Sequence, residues 1–232
     1  MEKSKFVITN LKQGVKNPNR VNVFVNSKYA LSLDVAQVVD FGIKVGLEIS
    51  DDELEELKKA SEYGKLYQRT LEWVLVRPRS VRETRDYLVK KLKTSPSDPL
   101  LRARRYGAQS LVPLPVGRVQ SSEDVFELSE SIIQRLLNKK YLDDYKFAEW
   151  YVENRFVKKG VSRKRLKMEL MKKGVAREII DEVIDERDDE EELRKMIARK
   201  RAKYDDEKLI AYLGRQGFSY DLIKQALSEE EN

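Results

Sequence analysis

One pattern recurs along the chain and restricts its architecture more than any other feature. The segment Ser80-Val-Arg-Glu-Thr-Arg-Asp-Tyr-Leu88-Val-Lys-Lys lines up with Ser162-Arg-Lys-Arg-Leu-Lys-Met-Glu-Leu170-Met-Lys-Lys, and less closely with Asp205-Asp-Glu-Lys-Leu-Ile-Ala-Tyr-Leu213-Gly-Arg-Gln. Each copy opens on a Ser or Asp that can cap a helix and carries a leucine anchor at the matching place. A short amphipathic helix cannot bury its apolar face alone, so tandem copies imply a stacked helical array. Leu170 and Leu213 are 43 residues apart, whereas Leu88 and Leu170 are 82 apart, so the first unit carries 39 additional residues.

Those residues have a visible home. The stretch 94–122 holds Pro96, Pro99, Pro113 and Pro115, several Ser and Gly, and no sustained helical period, and it reads as a poorly ordered insertion. Its core, Leu100-Leu-Arg-Ala-Arg-Arg-Tyr106, fits either a solvated loop or a basic nucleic-acid contact, and Leu111-Val-Pro-Leu-Pro-Val116 fits a stiff linker or a polyproline ligand. Each unit then reads as three helices. Residues 50–93 form a linker helix and the first two helices of the first repeat, 123–140 its last helix, 141–187 the second repeat and 188–232 the third. Ser50-Asp51-Asp52-Glu53 has capping-box spacing and starts the linker helix, which Pro78 stops.

Residues 1–49 follow a different period. Phe6-Val7-Ile8 and Val21-Asn22-Val23-Phe24-Val25 are β-rich, and Asn26-Ser27 supplies a turn into Tyr29-Ala30-Leu31-Ser32-Leu33, which predicts a hairpin. Asp34 is placed to cap a short helix, Val35 to Asp40, that stops at Gly42, and Ile43-Lys44-Val45-Gly46 reads as extended. The fold class is therefore mainly α, three tandem three-helix repeats preceded by a small β-hairpin-containing module.

Composition narrows the chemistry. The 232 residues include no cysteine and no histidine, which removes disulfides, thiolate nucleophiles, cysteine zinc sites, the commonest general base and the Ser-His-Asp triad. Asp, Lys and Tyr can still catalyse, but no Gly-rich phosphate loop, nucleophile elbow or spaced metal-carboxylate set is present, and Gly14, Gly42 and Gly46 form no such motif. No enzyme activity and no cofactor are expected. Lys plus Arg is 46 against 40 Asp plus Glu, a formal +6 that mildly favours polyanions or acidic partner surfaces. No run approaches the roughly 18 consecutive apolar residues of a membrane span. A cytoplasmic, unprocessed protein without a membrane partner is expected.

The segment Tyr141-Leu-Asp-Asp-Tyr-Lys-Phe-Ala-Glu-Trp-Tyr-Val-Glu-Asn-Arg155, followed by Lys159-Gly160-Val-Ser162, Leu166, Leu170 and Lys173-Gly174-Val175, resembles the RecX family of bacterial recombination regulators. It carries the Y-L-D-D, F-A, basic-Gly and K-G-V landmarks of that family, and Arg77-Pro-Arg-Ser80 and Gly217-Phe-Ser-Tyr-Asp-Leu-Ile223 are similar to its remaining ones. Arg20 to Val25, Tyr29 to Leu33 and Phe41 to Gly46 resemble the β-containing module of longer members, so the likeness spans nearly the whole chain apart from 94–122. The resemblance implies a curved array of three-helix repeats that binds the RecA recombinase filament on single-stranded DNA. It also implies restraint of filament growth, ATP hydrolysis and strand exchange, without a cofactor of its own; a monomer is expected.

Within the second repeat, Tyr141, Leu142, Phe147, Trp150, Tyr151 and Phe156 fall at helical spacing and read as core before base-stacking platform. Asp143 and Asp144 read as helix-start caps before a paired-carboxylate site. From Lys139 through Val175 there are twelve Lys or Arg against five Asp or Glu. On the helix opened by Ser162, Arg163, Lys167 and Lys164 share a side opposite Leu166 and Leu170, as a cationic ridge for phosphates or an acidic protein patch, or as an ordinary solvated face. The candidate contact residues are Arg155, Lys158, Lys159, Arg163, Lys164, Lys167, Lys172 and Lys173, with Arg199 and Lys203 in the third repeat. Ala176 to Leu193 reverses the sign with ten acidic residues and two arginines, and Arg194 to Tyr204 reverses it again. Asp188 to Glu192 should begin a helix and Arg199 to Lys203 should end it. The competing function is a stand-alone nucleic-acid-binding helical protein, against which no base-reading constellation is evident.

Overall fold

The computed structural model describes residues 6–15, 17–93, 122–185 and 187–230. The chain divides into two compact units, Met1–Trp73 with Tyr87–Arg135, and Val74–Asp86 with Leu136–Asn232. All of the segment read as an insertion except Ser122 lies outside the described residues, and Ser122 itself opens a helix.

In the first unit, strands β1 (Phe6–Gln13), β2 (Arg20–Val25), β3 (Lys28–Asp34) and β4 (Glu48–Ile49) form an antiparallel sheet of order β3-β2-β1-β4. Val25 pairs with Lys28 across Asn26-Ser27, both at positive φ (47° and 64°), as a two-residue primed turn requires. Two bonds anchor that turn to β1: the Asn26 side-chain oxygen accepts from the Val7 N–H at 3.0 Å, and the Ser27 N–H donates to Thr9 Oγ1 at 2.9 Å. Helix α1 (Val35–Asp40) starts on a complete capping box between Asp34 and Gln37. The segment expected to be extended at Ile43 to Gly46 forms no strand: Gly42 and Gly46 take positive φ, Val45 and Gly46 lie in a turn, and backbone bonds to Ile8 of β1 begin at Gly46 and Leu47, just before β4. Ile8, Val23, Val25, Leu31 and Leu33 cover one sheet face and pack with Ile43, Ile49, Leu54 and Leu57, the last two from helix α2 (Asp51–Leu75). Ser50 and Glu53 close the predicted box at its start. Helices α3 (Val81–Lys93) and α4 (Ser122–Asn138) are divided between the units, with Tyr87–Lys93 and Ser122–Arg135 in the first.

The second unit is helical among its described residues. Helices α5 (Asp144–Lys159), α6 (Arg163–Lys172) and α7 (Arg177–Ile184) enclose Phe147, Val152, Leu166, Leu170, Ile180 and Ile184. Helices α8 (Asp189–Lys200), α9 (Asp206–Arg215) and α10 (Tyr220–Glu230) enclose Leu193, Ile197, Leu209, Leu213, Phe218 and Ile223. The architecture is thus mainly α, built of three-helix domains behind a small amino-terminal sheet.

One joint is built twice. Ser80, before α3, donates its hydroxyl to the Lys173 carbonyl at the end of α6, and the Val81 N–H donates to Asp144 Oδ1 of α5 at 2.9 Å. Ser162, before α6, donates its N–H to the Gln216 carbonyl at the end of α9, and the Arg163 N–H donates to Asp189 Oδ1 of α8 at 2.7 Å. In both, a helix start is satisfied by the beginning of one later helix and the end of another. A glycine follows each accepting carbonyl. Gly174 (φ 80°) and Gly217 (φ 97°) lie where a Cβ would stand 2.7 Å from Arg82 Cβ and 2.4 Å from Ser162 Oγ, so sterics and backbone both demand glycine.

Two local expectations need refinement. Asp143 caps its own helix, accepting from the Tyr145 and Lys146 N–H groups, but Asp144 caps α3. Burial raises the Asp144 carboxyl above its ordinary value, partly offset by the Val81 hydrogen bond. Tyr141 is not core: it precedes α5 and is 43% exposed, while Leu142 and Phe147 are buried. The side chain of Phe156 lies outside the described residues.

Candidate partner-binding surface

The cationic block expected between Lys139 and Val175 folds against the acidic block that follows it. Lys167 on α6 meets Asp181 on α7 at 2.5 Å, and Arg163 meets Asp185 at 3.4 Å. Lys173 meets Glu83 at 2.5 Å, and that carboxyl is held below its ordinary value because the bonds from Lys173 and Arg77 outweigh burial. The ridge predicted from Arg163, Lys164 and Lys167 is therefore largely neutralised: Leu166 and Leu170 do face inward, but two of its three cations are paired within the protein.

Arg155 is withdrawn further. Its Nε donates to Glu169 Oε2 at 2.7 Å, a second guanidinium nitrogen donates to the other carboxylate oxygen, and Glu169 also receives Tyr151 Oη at 2.9 Å and Arg165 Nε at 3.1 Å. Burial alone would raise the Glu169 carboxyl, but the bonds from Arg155, Arg165 and Tyr151 outweigh it and hold it at about 2. The same contact raises the Arg155 guanidinium. Arg165 continues from Glu169 to the Arg215 carbonyl, tying α5, α6 and the end of α9 together.

Lys164 and Lys172 have a different environment. Both are exposed on α6 and neither has an ion-pair partner among the described residues. Met168 and Met171 share their side of the helix, 58% and 57% exposed. Arg199 is exposed near the end of α8, and Lys203 follows that helix with its Nζ 5.8 Å from the Tyr204 ring centroid. Lys158 and Lys159 lie on α5, but their side chains are outside the described residues. Of the ten candidate cations, the structure places Lys164 and Lys172 together on a free helix side and commits Arg155, Arg163, Lys167 and Lys173 to internal carboxylates.

Sequence reasoning missed Met168, Met171, Gly214 and Arg215. The spacing of Lys164, Met168 and Lys172, opposite Leu166 and Leu170, could have found the methionines; nothing local announces that the end of α9 lies beside them. No helix among the described residues is long and apolar enough to cross a membrane, and no group of three or more carboxylates among them could hold a metal ion.

Comparison with known proteins converges on one family. Residues 6–50 match the profile of the regulatory protein RecX N-terminal domain, and residues 143–184 match that of the RecX second three-helix domain. The chain is 30% identical to regulatory protein RecX of Bacillus subtilis strain 168, over 97% of this chain and 98% of that protein. It is 27% identical to regulatory protein RecX of Listeria monocytogenes strain EGD-e, over 96% of this chain and 75% of the relative. A crystal structure of regulatory protein RecX shares the fold, with a TM-score of 0.63 at 20% identity, covering 95% of this chain and 99% of that one.

Proposed function

The chain belongs to the RecX family of regulatory proteins, and from that premise we propose that it binds the RecA recombinase filament on single-stranded DNA and restrains filament growth, ATP hydrolysis and strand exchange. The observation that carries the reading is the match along nearly the full length of the B. subtilis relative. Cationic residues left unpaired on α6 support it, since they favour an anionic partner surface. The same reading makes 141–187 and 188–232 the second and third repeats, and assigns the protein to the cytoplasm as a monomer without a cofactor.

The test is ATP turnover by the recombinase on single-stranded DNA, with this protein titrated from well below one copy per recombinase subunit. Inhibition at substoichiometric ratios is expected from a protein that acts on filament growth. A requirement for equimolar protein would exclude action at filament ends, and no inhibition at any ratio would refute the reading. Binding to naked oligonucleotide across a salt series separates the alternative: a stand-alone phosphate binder holds DNA without recombinase and loses it steeply with salt.

A further inference from the structure

Beside the free side of α6 lies a groove of about 340 Å³, closed on its far wall by the end of α9. Arg165, Met168, Glu169 and Lys172 line it from α6, and Gly214 and Arg215 from the end of α9. The single carboxylate here is saturated by Arg155, Arg165 and Tyr151, while Lys172 and the Arg215 guanidinium meet no carboxylate among the described residues. The groove is therefore cationic, with exposed thioether along one edge.

Gly214 gives a second, independent indication. It is the penultimate residue of α9, in a last turn where glycine costs up to about 1 kcal/mol relative to alanine. Its backbone is not in the left-handed region that would require glycine, and nothing lies within 4 Å of where a Cβ would stand. Internal packing does not explain it, unlike Gly174 and Gly217. The open space there leaves room for an outside group to approach the helix backbone closely.

We infer that this groove seats an acidic segment of a protein partner, with an apolar side chain against Met168 and Gly214 and carboxylates meeting Lys172 and Arg215. Methionines adapt to irregular apolar surfaces, and exposed pairs of them mark protein-binding faces. Single-stranded DNA fits less well, since no aromatic ring lines the groove to stack a base. The inference rests on the reading above, in which the partner is the recombinase filament.

Peroxide footprinting of the full chain tests it. Oxidation of Met168 and Met171 is followed by mass spectrometry for the protein alone, with a (dT) oligonucleotide, and with recombinase filament on that oligonucleotide; buried Met196 serves as the internal reference. Filament should slow oxidation of both exposed methionines while the oligonucleotide alone should not. Gly214→Leu fills the groove with a better helix former, and Lys172→Glu reverses an exposed charge. Each should lower cosedimentation with filament by about tenfold, the equivalent of about 1.4 kcal/mol, with a thermal melt no lower than that of wild type. Equal protection by oligonucleotide alone would overturn the inference in favour of DNA. Cosedimentation of wild type and both variants alike, with no protection, would remove the groove from binding and leave the regulator reading standing. Failure of wild type to cosediment at all would overturn both.

Discussion

Glu169→Gln should destabilise the protein at neutral pH and lose most of that effect in acid. The carboxyl is held at about 2 against an ordinary 4.5. At about 1.36 kcal/mol per pKa unit, the charged form is favoured in the folded protein by about 3.4 kcal/mol. The side chain is 20% exposed and its arginine partners about as much or more, so solvent screening brings the usable figure to about 2 kcal/mol. Because the folded value is depressed, this stability is present above the unfolded value near 4.5 and is lost as pH falls toward 2. Glutamine is nearly isosteric with the protonated acid, so wild type and variant should converge in acid, each leaving Arg155 and Arg165 without a counter-ion. Urea unfolding of both proteins at pH 7, 4 and 3 measures the difference directly. A gap of about 2 kcal/mol at pH 7 that narrows below pH 4.5 is expected. A gap that is constant with pH, or below about 0.5 kcal/mol at pH 7, would refute the view that this carboxylate is the charged hub of α5, α6 and α9.

Gly217→Ala should lower stability by about 2 to 4 kcal/mol, since it combines a positive φ with a clash against Ser162, whereas Gly214→Ala in the same turn should raise it by about 0.5 to 1 kcal/mol; paired thermal melts compare them. Asp144→Ala should cost about 1 kcal/mol by freeing the Val81 N–H, and Asp144→Asn, which keeps an acceptor, should restore most of it in denaturant titrations. Glu192 is 2% exposed, and its Oε2 has no hydrogen-bond partner among the described residues. Burial raises its carboxyl, so the charged form is penalised once pH exceeds that raised value. Glu192→Gln should therefore melt higher than wild type at pH 7, with the advantage shrinking as pH falls through that value; a lower melt at pH 7 would show that the carboxylate has a partner.

What the sequence determined by itself was local. The Asn26-Ser27 turn, the Ser50, Asp143, Ser162 and Asp205 caps, and the inward Leu166 and Leu170 each depend on residues within one helical turn or one hairpin, and each stands where it was read. The mainly helical class behind a small sheet followed from the same signals, because hydrophobic period is a local property. Charge was not legible in this way. Counting showed a cationic block and an acidic block, but a count cannot say that Lys167 and Arg163 spend their charge on Asp181 and Asp185 while Lys164 and Lys172 keep theirs. Coulomb attraction acts through space, so pairing is settled only when helices far apart in the chain are packed side by side. The same holds for Asp144, which looked like the cap of its own helix and instead serves one that starts 63 residues earlier. It holds again for the groove beside α6, whose second wall arrives with α9. Tertiary packing decided which polar groups remained free for a partner, because burial makes most internal donors and acceptors find a match first.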